Sequence, residues 1–155
     1  MKEIQTINDS DDLFLYFTII KQMQPQTVLD IGMFLKRIGA LCRQVCNSEI
    51  PLQIELDALD YMQDDFPIYR KVYNNLYRNG EFPEKKYDMI IALYLSELID
   101  SKELERIWAY ALKNGKVFVV EATKEAEEYF FRRAEIQVVS VSPLKRFFLI
   151  RGIVR

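Results

Sequence analysis

The residues whose types and spacing best suit contact with a ligand lie at the end of an apolar, β-branched run over 27–31. Asp30 belongs to this run, and Gly32 follows it directly. A strand that enters a helix through a glycine turn presents backbone N–H groups and the positive helix end to a ligand. The sequence therefore predicts a strand, a ligand-binding turn at Gly32 and a helix over 34–46.

Bulky side chains follow Gly32. A nucleotide-binding loop has further glycines at the second and third points of its motif, where the backbone approaches the ligand closely. Here Met33 precedes Phe34 at the second point, and Lys36 or Arg37 stands at the third. Positive charge in the first turn of a helix opposes the helix dipole. Lys36 and Arg37 are thus either solvent-exposed charges or a pair that holds an anion, such as a phosphate-bearing ligand.

Two carboxylates are associated with the next predicted strand, over 52–56. Glu55 and Asp57 are expected at its carboxyl end, and Asp57 lies 25 positions after Gly32. An acidic residue at about this distance can accept hydrogen bonds from ribose hydroxyls in doubly wound folds. A solvated strand end explains the two acids equally well, so both interpretations stay open.

Histidine is absent from the sequence, which removes the commonest general base and the commonest metal ligand. Cys42 and Cys46 lie four positions apart in the predicted helix. Two thiols without histidine make a poor zinc site, and they are interpreted as small apolar residues of one helix face rather than a redox pair. We therefore expect no metal cofactor.

Charge and hydropathy exclude other classes of partner. The net charge is −2, from 21 basic and 23 acidic residues mixed along the chain, so no basic tract predicts nucleic-acid binding. The start of the chain does not resemble a secretory signal, and no apolar run reaches membrane-spanning length. We expect a cytoplasmic protein without membrane contact.

The rest of the chain alternates strands and helices within one predicted domain, 1–155. A length of 155 residues suffices for one core but not two. An N-terminal helix within 1–25 would pack on a core formed by 26–155. Hydrophobic patterns predict the following later elements: strands at 88–93 and 116–122, helices at 101–114 and 124–133, and final strands at 135–142 and 146–154. A three-residue link forces the final two strands to be antiparallel.

Residues 66–79 fit two different elements. Tyr69, Tyr73 and Tyr77 recur at helical spacing, with Pro67 suited to start a helix and Gly80 to end it. Residues 66–72 could instead supply a short strand. We predict a helix here.

This order of elements resembles that of the class I S-adenosylmethionine-dependent methyltransferases across nearly the whole chain. Four stretches carry the resemblance: VLDIG (28–32), YDMII (87–91), LSELID (95–100) and LKNGKVFVV (112–120). The resemblance implies a single Rossmann-like, three-layer α/β/α domain. Its sheet would be mostly parallel and twisted, would end in an antiparallel hairpin, and would have the methyltransferase strand order.

The resemblance also implies S-adenosylmethionine as cofactor. The residues expected to line it follow three strands: Asp30, Gly32, Met33, Phe34, Glu55, Asp57, Leu93 and Tyr94. Asp30 and Gly32 would face the methionine part, and Glu55 or Asp57 would take the ribose. A side chain near Leu93 and Tyr94, at the end of the strand at 88–93, would approach the methyl acceptor.

Three functions remain open at this point. The first is a small methyltransferase, which positions methyl donor and acceptor in line with little acid–base chemistry. The second is a non-catalytic descendant of the fold that binds a protein partner or forms a homodimer. The third binds another nucleotide or phosphorylated small molecule through Lys36 and Arg37. Because the glycine loop departs from the family pattern, we expect enzyme and non-enzyme with equal weight.

Overall fold

The computed structural model describes residues 22–32, 54–61, 73–78, 81–93, 95–97, 99–142 and 145–152. The predicted helix over 34–46 lies outside these ranges. So does the predicted N-terminal helix, apart from Gln22 and Met23, which are helical.

The described residues form one seven-stranded sheet. Its strands are β1 (Thr27–Ile31), β2 (Glu55–Asp60), β3 (Asn75–Arg78), β4 (Tyr87–Ala92), β5 (Gly115–Glu121), β6 (Ala134–Ser142) and β7 (Lys145–Gly152). They lie side by side in the order β3-β2-β1-β4-β5-β7-β6. Strands β1 to β5 pair in parallel, whereas β7 is antiparallel to both β5 and β6. The predicted mostly parallel sheet with a terminal antiparallel hairpin is confirmed.

Two helices follow β4 and β5 where the sequence pattern predicts them. Helix α1 (Ser101–Asn114) begins after Asp100, whose side chain accepts a hydrogen bond from the Glu103 backbone N–H at 2.9 Å. Helix α2 (Lys124–Phe130) is capped in the same way by Thr123, and it ends three residues before the predicted end at 133. These caps satisfy backbone N–H groups that have no partner within the helix.

The core lies between α1, α2 and one face of the sheet. Residues in register share a face, and Leu29, Ile90, Phe118 and Ile150 form such a row across β1, β4, β5 and β7. Trp108 of α1 and Phe130 of α2 belong to the same buried cluster, with ring centroids 5.3 Å apart. The opposite face is also buried along the central strands, as expected for parallel strands.

The predicted bounds of the second strand are wrong. Strand β2 runs from Glu55 to Asp60, whereas the prediction placed it over 52–56. The error arose because the charged pattern ELDALD was interpreted as a strand end. In the fold, Asp57 and Asp60 are part of a strand whose last five residues are all buried.

The predicted helix over 66–79 is also wrong where the structure describes it. Residues 75–78 form β3, which pairs in parallel with β2 at the edge of the sheet. An edge strand with one neighbour is polar and half exposed, so its sequence does not show a strong strand pattern. Residues 66–72 lie outside the described ranges.

Candidate functional site at the carboxyl edge of the sheet

The Gly32 turn is present as predicted. Gly32 has a backbone φ of 94°, in the left-handed region that glycine adopts without a steric penalty. Its N–H donates a 2.7 Å hydrogen bond to the carbonyl of Leu59 on β2. The chain therefore turns sharply at the end of β1 and stays attached to the neighbouring strand.

The carboxyl ends of the parallel strands place several candidate residues at one edge of the sheet. In the sheet, β2 and β3 lie on one side of β1, and β4 and β5 lie on the other. The strand order thus reverses between β1 and β4. Open α/β sheets bind ligands outside the carboxyl ends at such a point. We define the carboxyl edge by Gly32, Asp60, Leu93 and Glu121, which end or follow β1, β2, β4 and β5.

Asp30 lies just inside this edge but faces the interior. Its side chain is fully buried and accepts a 2.6 Å hydrogen bond from the Tyr73 hydroxyl. Its register partners are Ala58 on β2 and Ile91 on β4. In this arrangement the Asp30 carboxylate contacts the chain's own interior rather than solvent.

Glu55 and Asp57 lie in the amino-terminal half of β2, so the prediction that they stand at its carboxyl end is wrong. Asp57 is fully buried and accepts hydrogen bonds from Lys85 Nζ at 3.1 Å, the Tyr87 hydroxyl at 2.9 Å and Asn75 Nδ2 at 2.9 Å. Lys85 also pairs with Glu55. We call these five residues the Asp57 network. It joins β2 to β3 and β4 and is remote from the carboxyl edge.

The ionisation of the Asp57 network follows from these contacts. Burial, followed by the hydrogen bond to Asp57, raises the pKa of Tyr87 far above its ordinary value. Burial alone would lower the pKa of Lys85, but hydrogen bonds to Glu55 and Asp57 raise it. Burial also raises the pKa of the nearby Tyr110 to about 12. Lys85 is therefore charged and both phenols are neutral near pH 7.

Asp60 is the acidic residue that the structure places at the carboxyl end of β2, and sequence reasoning missed it. It is 9% exposed and follows Leu59, the residue whose carbonyl binds Gly32. The missed signal was the continuation of apolar residues through Leu56 and Leu59, which extends the strand to this acid.

A shallow cleft with room for about one water molecule lies at the carboxyl ends of β4 and β5. Its lining comes from β4, β5, α1 and their links: Ala92, Leu95, Ser96, Leu104, Trp108, Val120, Glu121 and Thr123. Ser96 Oγ donates a 3.1 Å hydrogen bond to Glu121 at the exposed rim. Trp108 Nε1 is buried and has no hydrogen-bond partner in the part of the chain that the structure describes.

Among the remaining residues that the sequence predicted for the site, the structure describes Leu93, and the others lie outside its described ranges. Leu93 lies directly after β4 and is 3% exposed, so its side chain packs inside. Met33, Phe34, Lys36, Arg37, Tyr94 and the two cysteines lie outside the described residues. Within the described ranges, no group of three or more acidic or thiol side chains is placed to hold a metal ion. No described helix is both long and apolar enough to cross a bilayer.

Several proteins of known structure are similar to this chain in fold. No family model and no curated protein matches the sequence. The 16S rRNA methylase RmtB has a similar structure, with a TM-score of 0.62 and 18% identity over 93% of this chain and 63% of RmtB. The methyltransferase domain of bacterial-CtHen1-CN has a TM-score of 0.64 and 11% identity over 94% of this chain and 99% of that domain. Magnesium protoporphyrin IX methyltransferase (ChlM) from Synechocystis PCC 6803, with bound S-adenosylmethionine, has a TM-score of 0.62 and 12% identity over 92% of this chain and 78% of ChlM.

The strand order and these similarities together define the class of fold. The chain has the Rossmann-like α/β fold of the class I S-adenosylmethionine-dependent methyltransferases, as predicted. It spans less than two thirds of the length of RmtB. Identities of 11–18% establish the fold alone, and the function has to be argued from the site.

Proposed function

We propose that this protein binds S-adenosylmethionine at the carboxyl edge and is a small methyltransferase. The observation that carries the proposal is the Gly32 turn, which stands where the strand order reverses in a sheet of methyltransferase topology. Ligands of open α/β sheets bind outside the carboxyl ends of the strands at this point.

The described residues of the edge fit such a cofactor. Gly32 is buried and its N–H is bonded to Leu59, but because it lacks a Cβ no side chain of its own would stand between the backbone and a cofactor. Asp60 stands on the adjoining strand, where a carboxylate can accept hydrogen bonds from the two ribose hydroxyls. These two residues would hold the nucleoside and the adjoining part of the cofactor.

Bound S-adenosylmethionine would supply an electrophilic methyl group on its sulfonium. The chain's own contribution would be to orient the donor and the acceptor and to keep water away, which requires no histidine. The cleft beside Ser96 and Glu121 lies further along the same edge, and we propose it as the side from which the acceptor approaches.

Calorimetry tests this proposal directly. Wild-type protein is titrated with S-adenosylmethionine and with S-adenosylhomocysteine, alongside Asp60→Asn and the control Glu105→Gln, which changes an exposed acid on α1. We expect binding by the wild type and the control and about a tenfold weaker affinity for Asp60→Asn, since the amide is uncharged and has one acceptor oxygen where the carboxylate has two. No heat and no thermal shift at millimolar ligand would exclude the proposal.

A second candidate is a non-catalytic protein of the same fold that binds a protein partner or a second copy of itself. It is favoured by the buried Asp30 carboxylate, which bonds Tyr73 internally, and by Phe34 at the second glycine point. Sedimentation over a hundredfold range of concentration tests the homodimer. Self-association together with no binding of S-adenosylmethionine would support this candidate, and a monomer that binds the cofactor would reject it.

A further inference from the structure

The hydrogen bond between Tyr73 and Asp30 joins two segments 43 residues apart in the sequence. Both side chains are buried, and the oxygen–oxygen distance is 2.6 Å, as expected when a hydroxyl donates to a carboxylate. Asp30 precedes Gly32 by two residues, so this contact lies directly beneath the turn of the carboxyl edge.

Hydrogen bonds to β2 fix the backbone next to Tyr73, and this restricts the position of the tyrosine side chain. The N–H of Asn74 donates to the carbonyl of Leu56 at 2.7 Å, and the Leu56 N–H donates to Asn74 Oδ1 at 2.9 Å. From this position next to β3 the Tyr73 hydroxyl reaches across β2 to β1. Ala58, the register partner of Asp30, carries only a methyl group, which leaves room for the crossing.

We propose that Tyr73 is a positioning residue for the Gly32 turn. A buried carboxylate that loses one of its donors shifts toward its other partners or toward water, because a less well satisfied buried charge costs free energy. Asp30 is the second-to-last residue of β1. Such a shift would therefore move the backbone from which the turn begins. Tyr73 prevents this shift by holding the carboxylate in the interior.

Amide hydrogen exchange tests the proposal without any ligand. Tyr73→Phe is compared with Tyr87→Phe, which removes a hydroxyl donor from the equally buried Asp57 on β2, in register with Leu29 beside Asp30. For Tyr73→Phe we compare each amide's exchange rate with its rate in the wild type. We expect the factor of acceleration at Gly32 to be at least ten times the factor at Val119 of β5. In Tyr87→Phe the two amides should accelerate by similar factors. Equal factors at Gly32 and Val119 in Tyr73→Phe would overturn the proposal.

A measurement on the wild type covers the case in which Tyr73→Phe does not fold. The Tyr73 hydroxyl proton should exchange slowly enough to give an NMR signal with a nuclear Overhauser effect to the Asp30 β protons. Absence of that contact would overturn the proposal.

The effect of Tyr73 on the cofactor rests on the proposed function. If the wild type binds S-adenosylhomocysteine, we expect Tyr73→Phe to bind at least tenfold more weakly and Tyr87→Phe to bind as the wild type does. Unchanged affinity in Tyr73→Phe would refute the link to the cofactor. If the wild type does not bind, the proposed function fails, whereas the exchange experiment still decides whether Tyr73 positions the turn.

Discussion

The two ends of strand β2 carry acidic residues that occupy different environments. Asp57, in the amino-terminal half, is fully buried and has three side-chain donors. Asp60, three residues later, ends the strand at the carboxyl edge beside the Gly32 turn. The same residue type thus stabilises the sheet in one place and stands at the candidate ligand site in the other.

This difference indicates that stabilising contacts concentrate at one end of the strands and the candidate site lies at the other. At the amino-terminal half, the Asp57 network ties β2 to β3 and β4, and Asp88 ties β4 to β1 by accepting from the Gln26 and Thr27 N–H groups. At the carboxyl edge the strands end beside a cleft with an exposed hydrogen bond at its rim. Substitutions at the first end should therefore cost more stability than substitutions at the second.

The largest expected effect is that of Asp57→Ala. It leaves the buried Tyr87 hydroxyl and the half-buried Lys85 without this acceptor, and removing a fully buried charged partner costs roughly 3–5 kcal/mol of unfolding free energy. The matched control is Glu55→Ala, since Glu55 also pairs with Lys85 but is 40% exposed and should cost about 1 kcal/mol or less. Urea denaturation measures both. Equal losses would refute the distinction between the two ends of the strand.

Tyr87→Phe should have the next largest effect. It removes one hydrogen bond to the buried Asp57 carboxylate, worth about 1.5–3 kcal/mol of unfolding free energy, while the ring stays in place. Because Tyr87 and Asp57 are in contact, the double variant with Asp57→Ala should lose less than the sum of the single losses. Additive losses in the urea experiment would contradict the network.

Asp88→Asn should change the acid dependence of stability. The hydrogen bond from the Gln26 backbone, aided by Lys116, lowers the pKa of Asp88 below 3.8 in the folded chain. Its charged form therefore stabilises the fold above that pH, and the contribution is lost as the pH falls through the lowered value. We expect the variant to be about 1 kcal/mol less stable at pH 7. Unfolding measured between pH 7 and pH 2 should show this gap narrowing, and a constant gap would count against the mechanism.

Ser96→Ala should have the smallest effect, because it removes a hydrogen bond between exposed groups at the cleft rim. We expect the unfolding free energy to change by no more than about 0.5 kcal/mol. A loss as large as that of Tyr87→Phe, in the same urea assay, would show that the carboxyl edge also holds the sheet together.

Much of the fold could be predicted because its signals are local. The run at 27–31 predicted β1 with its bounds, and the helical spacing of Leu104, Ile107, Trp108 and Ala111 predicted α1. The three-residue link predicted at 143–145 allowed only an antiparallel hairpin, as observed. These features depend on periodicity and link length, which can be counted along the chain.

The candidate site was predicted only in part, because its hydrogen bonds join residues far apart in sequence. Gly32 was found from its place after a strand, but Asp60 was missed and Glu55 and Asp57 were placed at the wrong end of β2. Nothing near Asp57 indicates that Lys85 and Tyr87, some thirty residues later, would be its donors.

The sequence by itself determined the alternation of elements, the buried character of the central strands and the turn at Gly32, because periodicity and glycine conformation act over a few residues. Only the tertiary structure decided which carboxylates are buried and hydrogen-bonded inside the fold. Asp30 and Asp57 acquire their partners through the order of the strands in the sheet, which brings together side chains 43 and about 30 positions apart. Strand order is a property of the assembled sheet, so the division between the interior acids and the acid of the candidate site appears only there.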